Sequence, residues 1–187
     1  MFNNIYLNKK VLITGHTGFK GTWLTLWLEK LGAKVIGISD QAPSKLNFYQ
    51  NINFNKKKII SYKKNILNKE ALHKIYKKHK PDFIFHLAAQ SLVSESFKDP
   101  NKTMQTNAIG TSNILDILKN ETKKITVVII TSDKVYKNLE WDWGYRENDL
   151  LGGTDPYSAS KAMAELSINS YINSFFSNKK NINLCIA

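Results

Sequence analysis

A single cysteine, Cys185, stands in the 187 residues. It excludes an internal disulfide and fits a reducing compartment. Proline is scarce at four residues, and no low-complexity linker or internal repeat divides the chain. No apolar run approaches the ~20 residues of a membrane span, so no membrane partner is expected. The stretch "MFNNIYLNKK" has no apolar segment followed by a small-residue cleavage site, so no signal peptide and a cytoplasmic location are expected. Acids are few: 15 against 27 Lys and Arg, a net charge of +12. That balance is the electrostatic footprint of a nucleic-acid binder. The lysines, however, are scattered in small groups: Lys9-Lys10, Lys56 to Lys58, Lys63-Lys64, Lys77-Lys78-Lys80, Lys123-Lys124 and Lys179-Lys180. There is no single basic helix, no zinc-finger pattern and no other metal signature. A solvated surface with no specific nucleic-acid partner is the expectation.

What is present suits one globular domain with a real core: 42% hydrophobic and 22% charged residues. Short apolar runs alternate with amphipathic stretches. "KKVLITG", "AKVIGISD", "KKIISYKKNI", "PDFIFHLAA", "KITVVIIT" and "INLCIA" read as strands. Between them, "FKGTWLTLWLEKLG", "NKEALHKIYKKH", "DPNKTMQTNAIGTSNILDILKN" and "DPYSASKAMAELSINSYINSFF" read as helices. In the first helix Trp23, Leu24, Trp27, Leu28 and Leu31 fall at helical spacing, which predicts core packing for both tryptophans. In the second, Leu72, Ile75 and Tyr76 share a face. Near-continuous apolar strands alternating with helices predict an α/β domain with a doubly wound parallel sheet covered on both faces. The loop from Lys137 to Thr154, rich in aromatic and charged residues, is long enough to expect a function for it.

Three glycines, Gly15, Gly18 and Gly21, sit between the first strand and first helix in "TGHTGFKG". Glycine lets the turn tighten and the backbone approach a diphosphate, while the helix N-terminus supplies N–H donors. No Gly-Lys-Ser/Thr follows Gly15 at P-loop spacing. Asp40 ends the second strand, 19 positions past Gly21. It is either a turn aspartate or a carboxylate accepting from both ribose hydroxyls, which favours NAD over NADP. In "YSASK", Tyr157 and Lys161 lie four apart on one helix face. An ammonium beside a tyrosine favours the phenolate, which can then take a proton from a substrate alcohol. In "TSDKVY" an acid and a base, Asp133 and Lys134, end a strand. They are a surface ion pair or part of a working site.

With "TGHTGFKG", "HLAAQ", "TNAIGT" and "DPYSASKAMAEL" in this order, the chain resembles the extended short-chain dehydrogenase/reductases. Through "GHTGFKGTWL", "TSDKVY", "WGYREND" and "LGGTDPYSASK" it is most similar to their nucleotide-sugar 4,6-dehydratases, in the CDP-glucose branch. The resemblance implies a Rossmann-type domain over 1–187 that lacks a C-terminal substrate domain. It implies NAD as cofactor and a nucleotide-sugar substrate: CDP-glucose would be oxidised at C4, lose water across C5–C6 and receive the hydride back at C6. It makes Tyr157 the base at the C4 hydroxyl and Lys161 the group that lowers its pKa and holds the ribose. Ser132, or Thr131, would bond the C4 oxygen, and Asp133 would protonate the leaving C6 hydroxyl. Lys134 stands where dTDP-glucose dehydratases carry a glutamate that takes the C5 proton, and must be neutral to do so. Gly15, Thr17, Gly18, Phe19 and Gly21, with Asp40, Asn65, Ile66, Leu87, Ala88, Ala89 and Gln90, would line the cofactor, and Asn107 matches a structural asparagine. The full-length family usually forms homodimers through its two long helices. Asn65 replaces a common aspartate, Ser94 a common arginine, and Gln41 aligns with the acidic position of the CDP-sugar relatives. An epimerase or reductase of the same fold, or a non-catalytic NAD-binding fragment, remains an alternative.

Overall fold

Apolar runs without alternation become strands buried on both faces. The structure, a computed structural model, describes residues 2–40, 47–55 and 58–187. Gln41 and two lysines of the basic groups, Lys56 and Lys57, lie outside these residues. The strands are β1 (Lys10–Thr14), β2 (Lys34–Ser39), β3 (Ile59–Lys63), β4 (Phe83–His86), β5 (Ile125–Ile129) and β6 (Ile182–Ile186). They form one sheet in the order β3-β2-β1-β4-β5-β6, with every neighbouring pair parallel. The chain reverses direction across the sheet between β1 and β4, and such a switch point opens a crevice at the carboxyl ends of the strands. The expected doubly wound α/β fold is the one observed.

The helices are α1 (Phe19–Lys30), α2 (Lys69–His79), α3 (Val93–Lys98), α4 (Pro100–Met104), α5 (Gly110–Leu118) and α6 (Pro156–Tyr171). A π-helical turn, Gln105–Ile109, joins α4 to α5, so the expected long helix is continuous but wider at its middle. Two Asp-Pro pairs start helices in the same way. The Asp99 side chain accepts from Lys102 N at 2.9 Å and Asp155 from Ser158 N at 3.0 Å, each with proline in the first turn. Two apolar cores flank the sheet. Leu12, Ile36, Ile84 and Val127 pack with Leu72, Ile114, Leu115 and Ile168 on one face; Val11, Ile13 and Val35 pack with Leu28 on the other.

Helix α1 departs from expectation. Its buried residues are Gly21, Thr22, Thr25 and Leu28, while Trp23 and Trp27 are 52% and 49% exposed. The helix begins where Gly21 meets the Gly15 carbonyl, and that approach leaves room only for small side chains on the inner face. The tryptophans lie on the flanks. Trp23 packs on Phe48 with ring centroids 4.8 Å apart, and Trp27 meets Phe2 edge-on at 5.5 Å.

Candidate active site

Gly15 leaves β1 with φ of +76°, in the left-handed region glycine tolerates. A Cβ there would lie 2.8 Å from Ala88 N, and one at Gly21 would lie 2.0 Å from the Gly15 carbonyl oxygen. Gly18 caps α1 without a side chain, so no capping group claims the first-turn N–H donors. The closed Cβ space and free donors fit the diphosphate of a dinucleotide. Phe19 opens the helix and is 71% exposed. The Thr17 N–H is turned to Ser39 Oγ at 3.3 Å.

His16, which motif reading passed over, lies beneath this loop, fully buried. Its Nδ1 bonds Ser39 Oγ at 2.9 Å and its Nε2 bonds Ser61 Oγ at 2.7 Å, tying the loop to β2 and β3. Burial pushes the imidazole down to about 4. Gly37 makes room for it, since a Cβ at that position would sit 2.2 Å from the ring. A cavity of about 290 Å³ opens beside it, lined by Thr17, Asp40, Asn47, Tyr49 and Lys63 among others. Asp40 is exposed at the end of β2, where its carboxylate accepts from Asn65 Nδ2 at 2.9 Å. The Asn65 carbonyl accepts from Leu67 N at 2.8 Å. Ile66 is buried, its side chain filling the space above Gly110.

After β4, a chain of directed hydrogen bonds fixes the loop from Leu87 to Gln90. Thr111 Oγ1 donates to Asn107 O at 2.6 Å, so its oxygen accepts from His86 Nε2–H at 3.0 Å. His86 Nδ1 then accepts from Thr14 Oγ1 at 2.6 Å, and Thr14 accepts from Ala88 N at 3.2 Å. Burial, with Lys161 adding to it, pushes His86 down to about 3, so the ring is neutral. Asn107, in the π turn, accepts from Gln90 N at 2.8 Å. It also donates to Gln90 O at 3.0 Å and to Ser160 Oγ at 2.8 Å. Ser160 in turn donates to the Tyr157 carbonyl at 2.6 Å. Asn107 therefore joins the β4 loop to the helix that carries the Tyr-Lys pair. The Gln90 side chain is used internally, donating to Leu92 O and Thr103 Oγ1 at 3.0 Å. Ala89, between them, is half-buried at the same edge, while Ser94 is exposed on α3.

Tyr157 and Lys161 occupy the first two turns of α6. Tyr157 is half-buried; Lys161 is buried, with Nζ 3.4 Å from Ile130 O. Burial and the charge of Lys20 push the Lys161 ammonium down to about 8, against an upward pull from Glu165. At the end of β5 both candidate hydroxyls are engaged, and Thr131 Oγ1 donates to Glu165 Oε1 at 2.6 Å. Ser132 accepts from Lys134 N at 3.2 Å and donates to Asp133 Oδ1 at 3.2 Å. Asp133 Oδ2 pairs with Lys134 Nζ at 2.9 Å, both side chains well exposed. The bond to Lys134 lowers Asp133, and the same bond raises Lys134, with smaller upward effects from Tyr157 and Asp155. In this state Lys134 is charged, whereas the base role needs it neutral. The following loop returns as Tyr136 bridges Leu151, with Tyr136 stacked on Tyr145 at 5.3 Å and Trp141 on Trp143 at 5.2 Å.

One sheet edge thus gathers the glycine loop, Asp40, Asn65, the segment from Leu87 to Gln90, Ser132, Asp133, Lys134, Tyr157 and Lys161. Among the described residues no cluster of His, Cys, Asp or Glu could hold a metal, and no helix is long and apolar enough to cross a membrane. A glycine loop beside a Tyr-Lys helix at the carboxyl edge of a parallel sheet defines a doubly wound domain of Rossmann type. The sequence profile of the family described as GDP-mannose 4,6 dehydratase matches residues 12–185, and the chain belongs to that family. It is 44% identical over 173 residues to the CDP-glucose 4,6-dehydratase of Salmonella typhimurium, covering 92% of this chain and 48% of that protein. It is 35% identical to the dTDP-D-glucose 4,6-dehydratase of Dictyostelium discoideum, covering 89% of this chain and 41% of that protein. The chain therefore spans about half the length of these relatives. An epimerase from Methanothermobacter thermautotrophicus superposes with a TM-score of 0.83 at 27% identity, over 98% of this chain and 52% of that one. The dTDP-glucose 4,6-dehydratase of Streptomyces venezuelae, solved with NAD bound, shares the fold with a TM-score of 0.79 at 22% identity, over 95% and 54%.

Proposed function

We propose that this chain is the cofactor-binding part of a nucleotide-sugar 4,6-dehydratase that acts on CDP-glucose with NAD. The observation that carries the reading is the meeting of Tyr157 and Lys161 with Ser132, Asp133 and Lys134 at the edge that also holds the glycine cradle. NAD, when bound, supplies the acceptor and later the donor of a hydride. Gly15, Gly18, Gly21 and Asp40 would hold it, with Lys161 at the ribose. Tyr157 takes the proton of the C4 hydroxyl, and Ser132, or Thr131, bonds the C4 oxygen in place of its present acceptor. Elimination needs a neutral base at C5–H and a protonated acid at the C6 hydroxyl. One proton shift along the 2.9 Å bond turns the Asp133–Lys134 ion pair into that neutral pair. Excluding water favours the neutral form, because a desolvated ion pair is costly. Lys134 then takes the C5 proton as Asp133 gives its own to the departing oxygen, which leaves as water. The pair ends as the ion pair seen in the structure. Epimerases and simple reductases need no such second acid and base.

Incubation of a full-length version, in which this chain is joined to a substrate domain, with NAD and CDP-glucose, dTDP-glucose or GDP-mannose tests the reading through the 4-keto-6-deoxy product. CDP-glucose should give the most product. Tyr157→Phe should bind NAD and form no keto sugar, and Lys134→Ala should lose elimination more than C4 oxidation. Preference for another sugar rejects the substrate. NAD binding with no conversion of any sugar favours the non-catalytic alternative.

A further inference from the structure

Glu165 lies one turn beyond Lys161 on α6 and faces the end of β5, where its carboxylate accepts from Thr131 Oγ1 at 2.6 Å. We infer that Glu165 is a positioning residue that ties down the Thr131 hydroxyl and helps to keep the buried Lys161 ammonium charged for the cofactor. The inference rests on the proposed function for the role of Lys161 and goes beyond it in giving Lys161 a counter-charge.

The case begins with an imbalance. Lys161 is 6% exposed, and among the described residues its Nζ has one acceptor, Ile130 O, at 3.4 Å. The groups that act on it from the surrounding elements are Lys20 on α1 and Glu165 on its own helix. His86 on β4 is neutral and its own value is lowered by Lys161, and Tyr157 lies one turn earlier on α6. Glu165 is the one acid among these four. A buried ammonium beside a second cation loses its proton readily, and a nearby carboxylate offsets part of that effect; burial and Lys20 still outweigh Glu165 here, leaving Lys161 at about 8. Glu165 is also held against drift, because its hydrogen bond anchors it to Thr131, whose N–H donates to Ala187 O at 2.9 Å.

Two variants separate charge from hydrogen bond. Glu165→Gln keeps an oxygen for Thr131 and removes the charge; Glu165→Ala removes both. Lys161 is followed by NMR titration of its side-chain nitrogen, assigned with Lys161→Arg, and NAD affinity is measured by calorimetry at pH 6 and pH 8. In Glu165→Gln the Lys161 titration should fall by on the order of one pH unit. NAD affinity should match the wild type at pH 6 and be about fivefold weaker at pH 8, where Lys161 is then mostly neutral. Glu165→Ala should show the same titration shift and a lower melting temperature as well. An unchanged Lys161 titration in Glu165→Gln overturns the inference. So does an affinity loss equal at both pH values, which marks a purely structural role. A wild-type chain that binds no NAD rejects the cofactor reading instead, while the titration still decides on Glu165.

Discussion

His16 and His86 show how single residues join the cofactor edge to the stability of the sheet. Each is buried, neutral and bonded at both ring nitrogens: His16 ties the glycine loop to β2 and β3, and His86 ties β4 to β1 and α5. Burial lowers both, His16 to about 4 and His86 to about 3, from an ordinary value of 6.5. In the unfolded chain they take up protons as pH falls through the ordinary range; in the folded chain they do not. Each therefore withdraws stability as pH drops from 6.5 towards its folded value, and none above it. For His16 alone the loss between pH 8 and pH 5 should be about 2 kcal/mol. Guanidinium unfolding at the two pH values should show at least this loss, because His86 adds its own, and stability that stays flat across this window would count against neutral, buried histidines. Neither residue announced itself in the sequence as more than an ordinary polar position. His16 sits inside a glycine motif that drew attention to its glycines, and its partners Ser39 and Ser61 lie on other strands. Tyr157 and Lys161, by contrast, were readable as one helix face from their spacing, and as a candidate pair only beside the glycine loop and the order of strands.

At the scale of elements, α1 separates hydrophobicity from burial. Its apolar residues suggested a core stripe through Trp23 and Trp27, yet the inner face is Gly21, Thr22, Thr25 and Leu28. What sequence could not supply was the closeness of the helix to the glycine loop, a tertiary constraint that favours small residues over large ones. Helix α2 carried no such constraint, and its expected face of Leu72, Ile75 and Tyr76 is buried as read. The difference makes a mutational order predictable. Leu28→Ala removes a fully buried side chain and should cost about 2–5 kcal/mol. Trp23→Ala loses half-exposed packing on Phe48 and should cost less despite its larger size, about 1 kcal/mol. Denaturant titration of the two variants compares them directly. A larger loss for Trp23→Ala would mean that the flank, not the inner face, anchors α1.

At the scale of the whole molecule, the order of elements was readable because each central strand is a short apolar run bounded by turn residues. The short helix α3 was not anticipated, since six residues after a loop give little periodicity to read. The exposed surface then poses its own question. On the helical layer, Ile109 in the π turn and Met163 and Leu166 on α6 are 51%, 40% and 58% exposed. Apolar side chains grouped on neighbouring helices mark association surfaces more often than scattered ones do. We propose that a second copy of the chain covers them, so that two pairs of long helices pack across a two-fold axis. In such an isologous contact each substitution acts twice, once from each copy. Leu166→Glu would place two like charges into the contact, and sedimentation velocity should show the wild type as a dimer and this variant as a monomer. Its melting temperature at low concentration should match the wild type, because Leu166 is exposed in the single chain. A wild type that sediments as a monomer throughout the concentration series would leave this face without a partner copy.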